Sequence, residues 1–197
     1  MFGENYPIEE ISKHVVVTEI KDPKKSPEEF FKYVDITGID NKKGLIKEVK
    51  EILGKDAPSR ARRLIKEHDI IVSTVRPNLN ATAIVPSALD NQICSTGFCI
   101  LRARPSLNPR YLFFQTRTKY FVDSLCLKMK GAAYPAVTND DVLKIKIPFP
   151  PLSLQNEFAV TLENIEQIKE KLQKSENEIN QLFDSLLQKA FNGELVI

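Results

Sequence analysis

The feature that most constrains the fold is a long stretch near the C-terminus that lacks both glycine and proline. Residues 153–190 are rich in Glu, Gln, Lys and Leu, and Asn192-Gly193 follow as a helix stop. This composition predicts a single helix, which at ~1.5 Å per residue would be about 57 Å long.

Hydrophobic residues recur along this predicted helix at heptad spacing. One row is wholly apolar and comprises Phe158, Ile165, Leu172, Ile179 and Leu186. The row beside it, offset by three, is mixed and comprises Thr161, Ile168, Ser175, Leu182 and Lys189. Two such rows predict a coiled-coil seam with polar interruptions. The preceding 150 residues could cover only its first turns, so we expect residues 153–190 to pair with a second copy of the chain or with another protein.

A proline-rich junction, Pro148-Phe149-Pro150-Pro151, separates this helix from the rest of the chain. We therefore divide the sequence into residues 1–150, a globular domain, and residues 151–197, the long helix and a tail. Net charge divides at the same place, because residues 1–150 carry +6 and residues 151–197 carry −4. A moderately basic body is compatible with DNA binding, although an ordinary solvated surface explains +6 almost as well.

Strand and helix signals are interleaved in residues 1–150. Strands are predicted at Asp69–Val75, stopping at Arg76-Pro77, at Ala83–Val85, at Phe98–Leu101 and in the alternating run Leu143–Ile147. Helix starts are predicted at Pro58, ahead of Ser59–Ile65, at Asn108-Pro109, with the helix continuing towards Tyr120, and at Thr138–Asp141. Irregular mixing of this kind predicts an α+β fold rather than a doubly wound sheet.

The composition excludes several classes of protein. A chain with 42% hydrophobic and 27% charged residues is typical of a soluble globular protein. No apolar run is long enough for a membrane span, and residues 1–10 do not resemble a signal peptide. The three cysteines have no metal-like spacing, and with only two histidines they do not favour a zinc site. We expect a protein of the reducing cytoplasm.

Motifs that would indicate catalysis are missing from the sequence. There is no P-loop, no G-x-G-x-x-G, no G-x-S-x-G and no Asn-Pro-Pro-aromatic tetrapeptide of the kind that amino-methyltransferases use. Glu48-Val49-Lys50, with Asp35 or Asp40 upstream, resembles the acidic-x-Lys element of metal-dependent nucleases. Such triplets arise by chance in a charged chain, so a nuclease using Asp40, Glu48 and Lys50 is the less favoured alternative. No catalytic residue and no metal ligand is predicted.

Two ordered sets of segments resemble the specificity subunits of Type I restriction–modification systems. The first is Pro58-Ser59-Arg60-Ala61-Arg62 followed by Asp69–Pro77. The second comprises Lys130–Thr138, Ile147–Leu152 with Gln155, and Ser185–Leu195, which contains Phe-Asn-Gly-Glu-Leu. Single pieces are weak signals, but the order of the strand, the double proline, the long helix and this ending is specific. Between Asp35 and Leu195 the resemblance covers most of the chain.

The resemblance implies a non-catalytic DNA-reading subunit. Residues 1–150 would be a target-recognition domain that reads one half of a bipartite site in double-stranded DNA. Methyltransferase subunits using S-adenosylmethionine would dock on the protein, with an ATP- and Mg²⁺-dependent nuclease–translocase subunit as a further partner, and the chain itself would hold no cofactor. The family normally has two recognition domains, so a half-length form with one would need an antiparallel homodimer and two inverted half-sites.

Candidate DNA-binding residues follow from position and chemistry. Arg60 and Arg62 are placed on a short helix before a strand, although a solvated helix face is equally compatible with them. Arg76 and Asn78 follow a strand end in the turn around Pro77. Arg and Asn side chains contact both phosphates and base edges. Arg102 and Arg104 are assigned to the surface.

Further candidates lie in the segment that the resemblance favours. Lys128, Lys130 and Tyr134 flank Gly131-Ala132-Ala133, where small residues permit close approach of a DNA backbone. Tyr134 precedes a proline and is also compatible with a packing role. Thr138 and Asn139 stand near a predicted helix N-terminus, where phosphate can bind.

Other function classes remain open at this stage. A nuclease or methyltransferase would cut or methylate DNA as an isolated protein. A pure assembly scaffold would ignore DNA even with its partners present. The module could also serve another phage-defence complex, which the neighbouring methyltransferase gene would reveal.

Overall fold

The computed structural model describes residues 6–131 and 135–193, and the chain divides into two compact units, Met1–Asn156 and Glu157–Ile197. The strands are β1 (Ile8–Glu10), β2 (Val15–Val16), β3 (Phe30–Val34), β4 (Ile39–Asp40), β5 (Leu45–Ile46), β6 (Lys50–Leu53), β7 (Ala61–Ile65), β8 (Ile70–Ser73), β9 (Thr82–Ile84), β10 (Gln92–Ser95), β11 (Phe98–Ala103) and β12 (Lys146–Pro148). The helices are α1 (Pro109–Thr116), α2 (Lys119–Cys126), α3 (Asn139–Leu143) and α4 (Leu152–Phe191). The α+β prediction is confirmed.

Two four-stranded sheets form the centre of the first unit. Their strand orders are β6-β3-β10-β7 and β2-β11-β8-β9. Within them β10 runs parallel to β3, and the other neighbouring strands are antiparallel. The tight connection between β10 and β11 passes from one sheet to the other. Two smaller pairs, β1-β12 and β4-β5, complete the pattern.

The core lies where the apolar strands of both sheets meet. All four residues of β8 are buried, which suits its nearly continuous apolar sequence. The largest cluster comprises Val34, Ile39, Ile65, Ile71, Ala81, Ala83, Val85, Leu89, Cys94, Phe98 and Ile100. The strands predicted around Ile70, Ala83 and Phe98 are therefore confirmed.

The segment after Pro58 was predicted as a helix, and this prediction is wrong. Residues Ala61–Ile65 form β7, which pairs antiparallel with β10. Ala61 and Ile65 are fully buried in that position. Alanine, arginine and leucine favour a helix only by tenths of a kcal/mol per residue, whereas strand pairing and burial contribute more. Arg60 therefore directly precedes strand β7, and Arg62 lies within it.

The helix start predicted at Asn108-Pro109 is confirmed, but the predicted length of this helix is wrong. The Asn108 side chain accepts hydrogen bonds from the N–H groups of Arg110 and Tyr111, with Pro109 at the first helical position. The helix does not continue towards Tyr120, because α1 ends at Thr116 and Thr118 caps a second helix. Two adjacent helices thus replace the single predicted one.

The alternating run before the proline-rich junction is only partly a strand. Lys146–Pro148 form β12, paired with β1, and Ile145 and Ile147 are buried as predicted. Leu143 instead ends helix α3. Gln155, at the start of α4, is fully buried; its side-chain oxygen accepts from the Asn108 N–H (2.8 Å) and its amide donates to the Pro150 carbonyl (2.8 Å). These two hydrogen bonds explain why a glutamine follows the double proline.

One arginine assigned to the surface has an internal role instead. The Arg102 guanidinium donates two hydrogen bonds of 2.8 Å each to the Asp69 carboxylate, which is 1% exposed. Asp69 also accepts from the Lys66 N–H at 2.8 Å. These hydrogen bonds to Asp69 raise the pKa of Arg102. Arg104 is exposed, as predicted, although its Nε donates to the Val15 carbonyl at 3.2 Å.

Native-state thiol labelling is expected to modify Cys126 rapidly and to spare Cys94 and Cys99. The latter two are buried, and burial raises the pKa of the Cys99 thiol to about 12 and also raises that of Cys94. The thiolate is the reactive form, so both should be inert. Labelling with N-ethylmaleimide, read by mass spectrometry before and after denaturation, checks this. Substituting Cys126 with serine should remove the fast reaction, and rapid native labelling of that variant would contradict the structure.

The second unit contains helical residues from Glu157 to the end of α4. The predicted bounds, 153–190, differ from the observed Leu152–Phe191 by one residue at each end. Large apolar side chains along it are exposed in the single chain, including Ile165 (41%), Leu172 (65%), Ile179 (66%) and Leu186 (44%). Ile168 and Leu182 of the adjacent row are also exposed, whereas Phe158 is half-buried. None of the described helices combines the length and apolar character needed to cross a membrane.

Candidate nucleic-acid interface

Backbone hydrogen bonds join several segments at one end of the two main sheets. The Thr96 N–H donates to the Arg60 carbonyl (2.8 Å), and the Thr74 N–H donates to the Gly97 carbonyl (2.9 Å). The Val137 N–H donates in turn to the Thr74 carbonyl (2.9 Å). The start of β7, the end of β8, the β10–β11 turn and the segment containing Val137 therefore form one continuous edge.

Arg76 projects from this edge on an unusual backbone. Its φ is 48°, in the left-handed region, and its N–H donates to the Pro135 carbonyl at 2.8 Å. A left-handed arginine is strained by about 1 kcal/mol or more and persists only where neighbours hold it. Pro77 is buried behind it, while Arg76 and Asn78 are exposed. The turn predicted at Pro77 thus presents both side chains to solvent.

Lys130 lies beside Arg76 on the same edge. Its N–H and carbonyl exchange hydrogen bonds with Ala136 at 2.9 and 3.0 Å, and Ala136 bridges to Val75. Lys130 is exposed. We call the surface formed by Arg60, Arg76 and Lys130 the basic edge. Tyr134, a predicted DNA-binding residue that follows Lys130 in the sequence, lies outside the described residues.

A pocket of about 460 Å³ opens between the two arginines of the basic edge. Its polar lining consists of Asp35, Thr37, Asn41, Arg60 and Arg76, and its apolar walls are Ile36, Ile39, Val75, Leu79 and Ala81. Burial raises the pKa of nearby Tyr33, with Asp35 raising it further and Arg60 lowering it. A negatively charged side chain, Asp35, and two positively charged ones, Arg60 and Arg76, therefore line the same pocket.

Sequence reasoning missed three residues of this pocket. Thr37 and Asn41 were not considered, and Asp35 was weighed only as a nuclease ligand. The available signal was weak: Asp35 and Thr37 are isolated polar residues after the aromatic strand β3, and Asn41 follows β4. The pairing of β3 with β10 brings this segment to the basic edge.

Two residues that were predicted to contact DNA, Arg62 and Lys128, form bonds within the protein instead. Arg62 donates to the Ala61 carbonyl (2.8 Å) and forms an ion pair with Asp22 at 3.3 Å. Lys128 is half-buried, and its Nζ donates to the Asp141 carbonyl at 3.4 Å. Both side chains are less available to DNA than those of the basic edge.

The predicted helix start at Thr138 is confirmed, but the side chain and backbone N–H of Thr138 already form hydrogen bonds with Asp141. The Thr138 side chain and backbone form a capping box with Asp141 at the N-terminus of α3. These bonds lower the pKa of Asp141. Asn139 lines a different pocket, of about 410 Å³, together with Arg63 and Asp140. The structure does not bring Thr138 or Asn139 into the pocket of Arg60 and Arg76.

The structure gives no support to the nuclease alternative. The Asp40 carboxylate accepts from the N–H groups of Lys42 and Lys43 at 2.9 Å each, and the Lys43 bond holds its pKa below the usual value. Glu48 and Lys50 are exposed, and Glu48 pairs with Lys47 at 3.9 Å. Within residues 6–131 and 135–193, no group of three or more His, Cys, Asp or Glu side chains could hold a metal ion.

Comparison with known proteins shows the family. Residues 6–181 match the Type I restriction modification DNA specificity domain. The chain therefore belongs to this family. Its mixed fold and long C-terminal helix are those of a Type I specificity subunit.

Individual relatives agree with the family match. The chain is 26% identical over 147 residues to the Type I restriction enzyme HindI specificity subunit of Haemophilus influenzae. It is 27% identical over 145 residues to the EcoDI specificity subunit of Escherichia coli. Each alignment covers 72% of this chain, but 31% and 32% of the relatives.

Solved structures show the same fold. The HsdS subunit from Thermoanaerobacter tengcongensis is 39% identical, with a TM-score of 0.86 over 96% of this chain and 49% of that one. A chain from a structural study of complex assembly and conformational transition of the type I R-M system is 38% identical, with a TM-score of 0.85 over 97% of this chain and 50% of that one. The chain thus spans about a third of the curated relatives and half of the solved ones.

Proposed function

We propose that this chain reads one half of a bipartite DNA site and positions methyltransferase subunits on it. The observation that carries the proposal is the convergence of Arg60, Arg76 and Lys130 on one exposed edge of a specificity-family domain. The three cations come from separate parts of the sequence. Their convergence produces a concentrated positive surface that the modest net charge of the chain conceals.

The basic edge has suitable chemistry for a duplex. Exposed lysine and arginine bind phosphates, and arginine also recognises guanine through two hydrogen bonds in the major groove. Asn78, on the turn after Arg76, adds an amide that can pair with adenine. The backbone bonds that hold this turn reduce the ordering cost of binding.

The chain would act without chemistry of its own. In this proposal S-adenosylmethionine binds the methyltransferase partner, and ATP and Mg²⁺ bind a nuclease partner where the system has one. This protein supplies recognition and spacing, in the cytoplasm where its DNA lies. A second recognition domain is required for a bipartite site.

We propose that α4 supplies this second domain by pairing with α4 of another copy. Its exposed row Ile165, Leu172, Ile179 and Leu186 is the apolar surface for that contact. An antiparallel pair centred at Ser175 places Ile168 of one helix alongside Leu182 of the other, since each is seven residues from the centre. The two recognition domains would then be related by a two-fold axis and read inverted half-sites.

The test is co-expression of the chain with the methyltransferase encoded beside it, followed by sequencing of methylated plasmid DNA. An interrupted palindrome is expected. An asymmetric site would show that a different second domain joins, and the homodimer would be wrong. Absence of both modification and salt-sensitive DNA binding would contradict DNA recognition altogether and favour a scaffold.

Variants of the basic edge connect the readout to the structure. Substituting Lys130 with glutamine is expected to weaken binding to all duplexes and to reduce the slope of log affinity against log salt by about one unit. Lys55 is an exposed lysine that pairs with Glu28 elsewhere on the domain, so the same substitution there is the matched control. Equal effects of the two substitutions would contradict the placement of the interface.

A further inference from the structure

The pocket on the basic edge has a composition that phosphate binding does not explain. A carboxylate, Asp35, lies in the same pocket as Arg60 and Arg76. Among the described residues, neither Arg60 nor Arg76 forms an ion pair with Asp35. Neither guanidinium donates a hydrogen bond to another described residue of the protein. Asp35 uses one oxygen to accept from the Ile36 N–H at 2.8 Å. The pocket therefore offers both donors and an acceptor to a ligand.

A phosphate and a base pair make opposite demands on such a pocket. A carboxylate beside a phosphate repels it, so a pure backbone-binding surface would be better without Asp35. The major-groove edge of a guanine–cytosine pair presents O6 and N7 acceptors on guanine and an N4 amino donor on cytosine. Arginine can donate to the two guanine acceptors, and a carboxylate can accept from the cytosine amino group.

The positions of these groups are held by the fold. The Asp35 carbonyl accepts from the Gly38 N–H at 3.0 Å, closing the turn that carries the carboxylate. A Cβ on Gly97 would lie 2.6 Å from the Ile36 side chain, so the β10–β11 turn packs closely against this loop. The backbone of Arg76, which also lines the pocket, is held by the bond of its N–H to the Pro135 carbonyl. The backbone positions from which Arg76 and Asp35 extend are therefore held, which favours recognition of one base pair over others.

We propose that this pocket reads a guanine–cytosine pair, with Arg76 donating to guanine and Asp35 accepting from the cytosine amino group. This inference rests on the proposed function of DNA recognition. Arg60 borders the same pocket and contributes positive potential that offsets the carboxylate. The half-site of this protein then contains a G·C pair whose identity depends on Asp35.

The test compares Asp35→Ala with wild type, each assembled with its methyltransferase, on a duplex carrying the methylated site and on a scrambled duplex. The substitution should reduce the ratio of specific to non-specific affinity by about tenfold to a hundredfold, through one G·C position. Binding to the scrambled duplex and its salt dependence should change no more than in Asp56→Ala, an exposed control that removes the same charge.

Other outcomes overturn the inference in distinguishable ways. If Asp35→Ala strengthens binding to both duplexes equally, Asp35 only repels phosphate; if it changes the affinity for neither duplex, Asp35 does not contact a base. Arg76→Lys keeps the charge but loses the two-bond geometry, so the ratio should fall while the salt slope stays constant. A wild-type complex that fails to distinguish the duplexes would refute the proposed function itself.

Discussion

Replacing Asp69 with alanine is expected to lower the free energy of unfolding by about 3–5 kcal/mol. The substitution leaves the Arg102 guanidinium, whose side chain is 18% exposed, without its bidentate partner. It also removes the acceptor for the Lys66 N–H. Chemical denaturation followed by circular dichroism measures the change.

A surface ion pair close by is the matched control. Glu19 pairs with Lys66 at 3.8 Å, with side chains 59% and 41% exposed. Its replacement by alanine should cost less than about 1 kcal/mol, because solvent screens the pair. The double replacement Asp69→Leu with Arg102→Met removes both charges and should be less destabilising than Asp69→Ala. Equal, small losses for Asp69 and Glu19 would contradict the buried ion pair.

Introducing lysine at both Ile165 and Leu172 is expected to convert a dimer into monomers. The two side chains lie seven residues apart in the exposed apolar row of α4. Each pair of chains would then hold four lysines in its seam, which should weaken dimerisation by more than about 1000-fold. Light scattering at micromolar concentration measures the mass. A wild-type chain that is already monomeric there would contradict self-pairing through α4.

The control and the direction of pairing use the same helix. Gln167 and Gln173 lie outside both heptad rows, so lysine at these two positions adds the same charge and should leave the dimer intact. For direction, chains carrying Ile168→Cys are mixed with chains carrying Leu182→Cys, both in a Cys126→Ser background. Antiparallel helices should give the mixed disulfide, whereas parallel helices should give only self-linked products.

Local chemistry was sufficient for some elements because their signals lie within a few residues. Asn108-Pro109 and Thr138 each satisfy helix N–H groups through their own side chains, so these starts could be predicted. The long helix needed only the absence of glycine and proline and a heptad period. The strand at Ile70 is recognisable as an apolar run stopped by a proline.

Other parts depended on pairing between distant segments. Residues 61–65 became a strand because β10, some thirty residues later, supplies hydrogen bonds and burial that outweigh a small helix preference. Arg102 is largely buried because β11 pairs with β8, and Asp69, the buried residue just before β8, binds its guanidinium.

The resemblance to the family and the apolar seam of α4 were recognisable in the sequence by itself. The site was not. Asp35 and Asn41 reach Arg76 only through the parallel pairing of β3 with β10 and the close turn at Gly97. Spacing along a chain encodes helical and strand periodicity, but the meeting of unlike charges from separate loops is determined by which strands pair, and that is a property of the whole packed core.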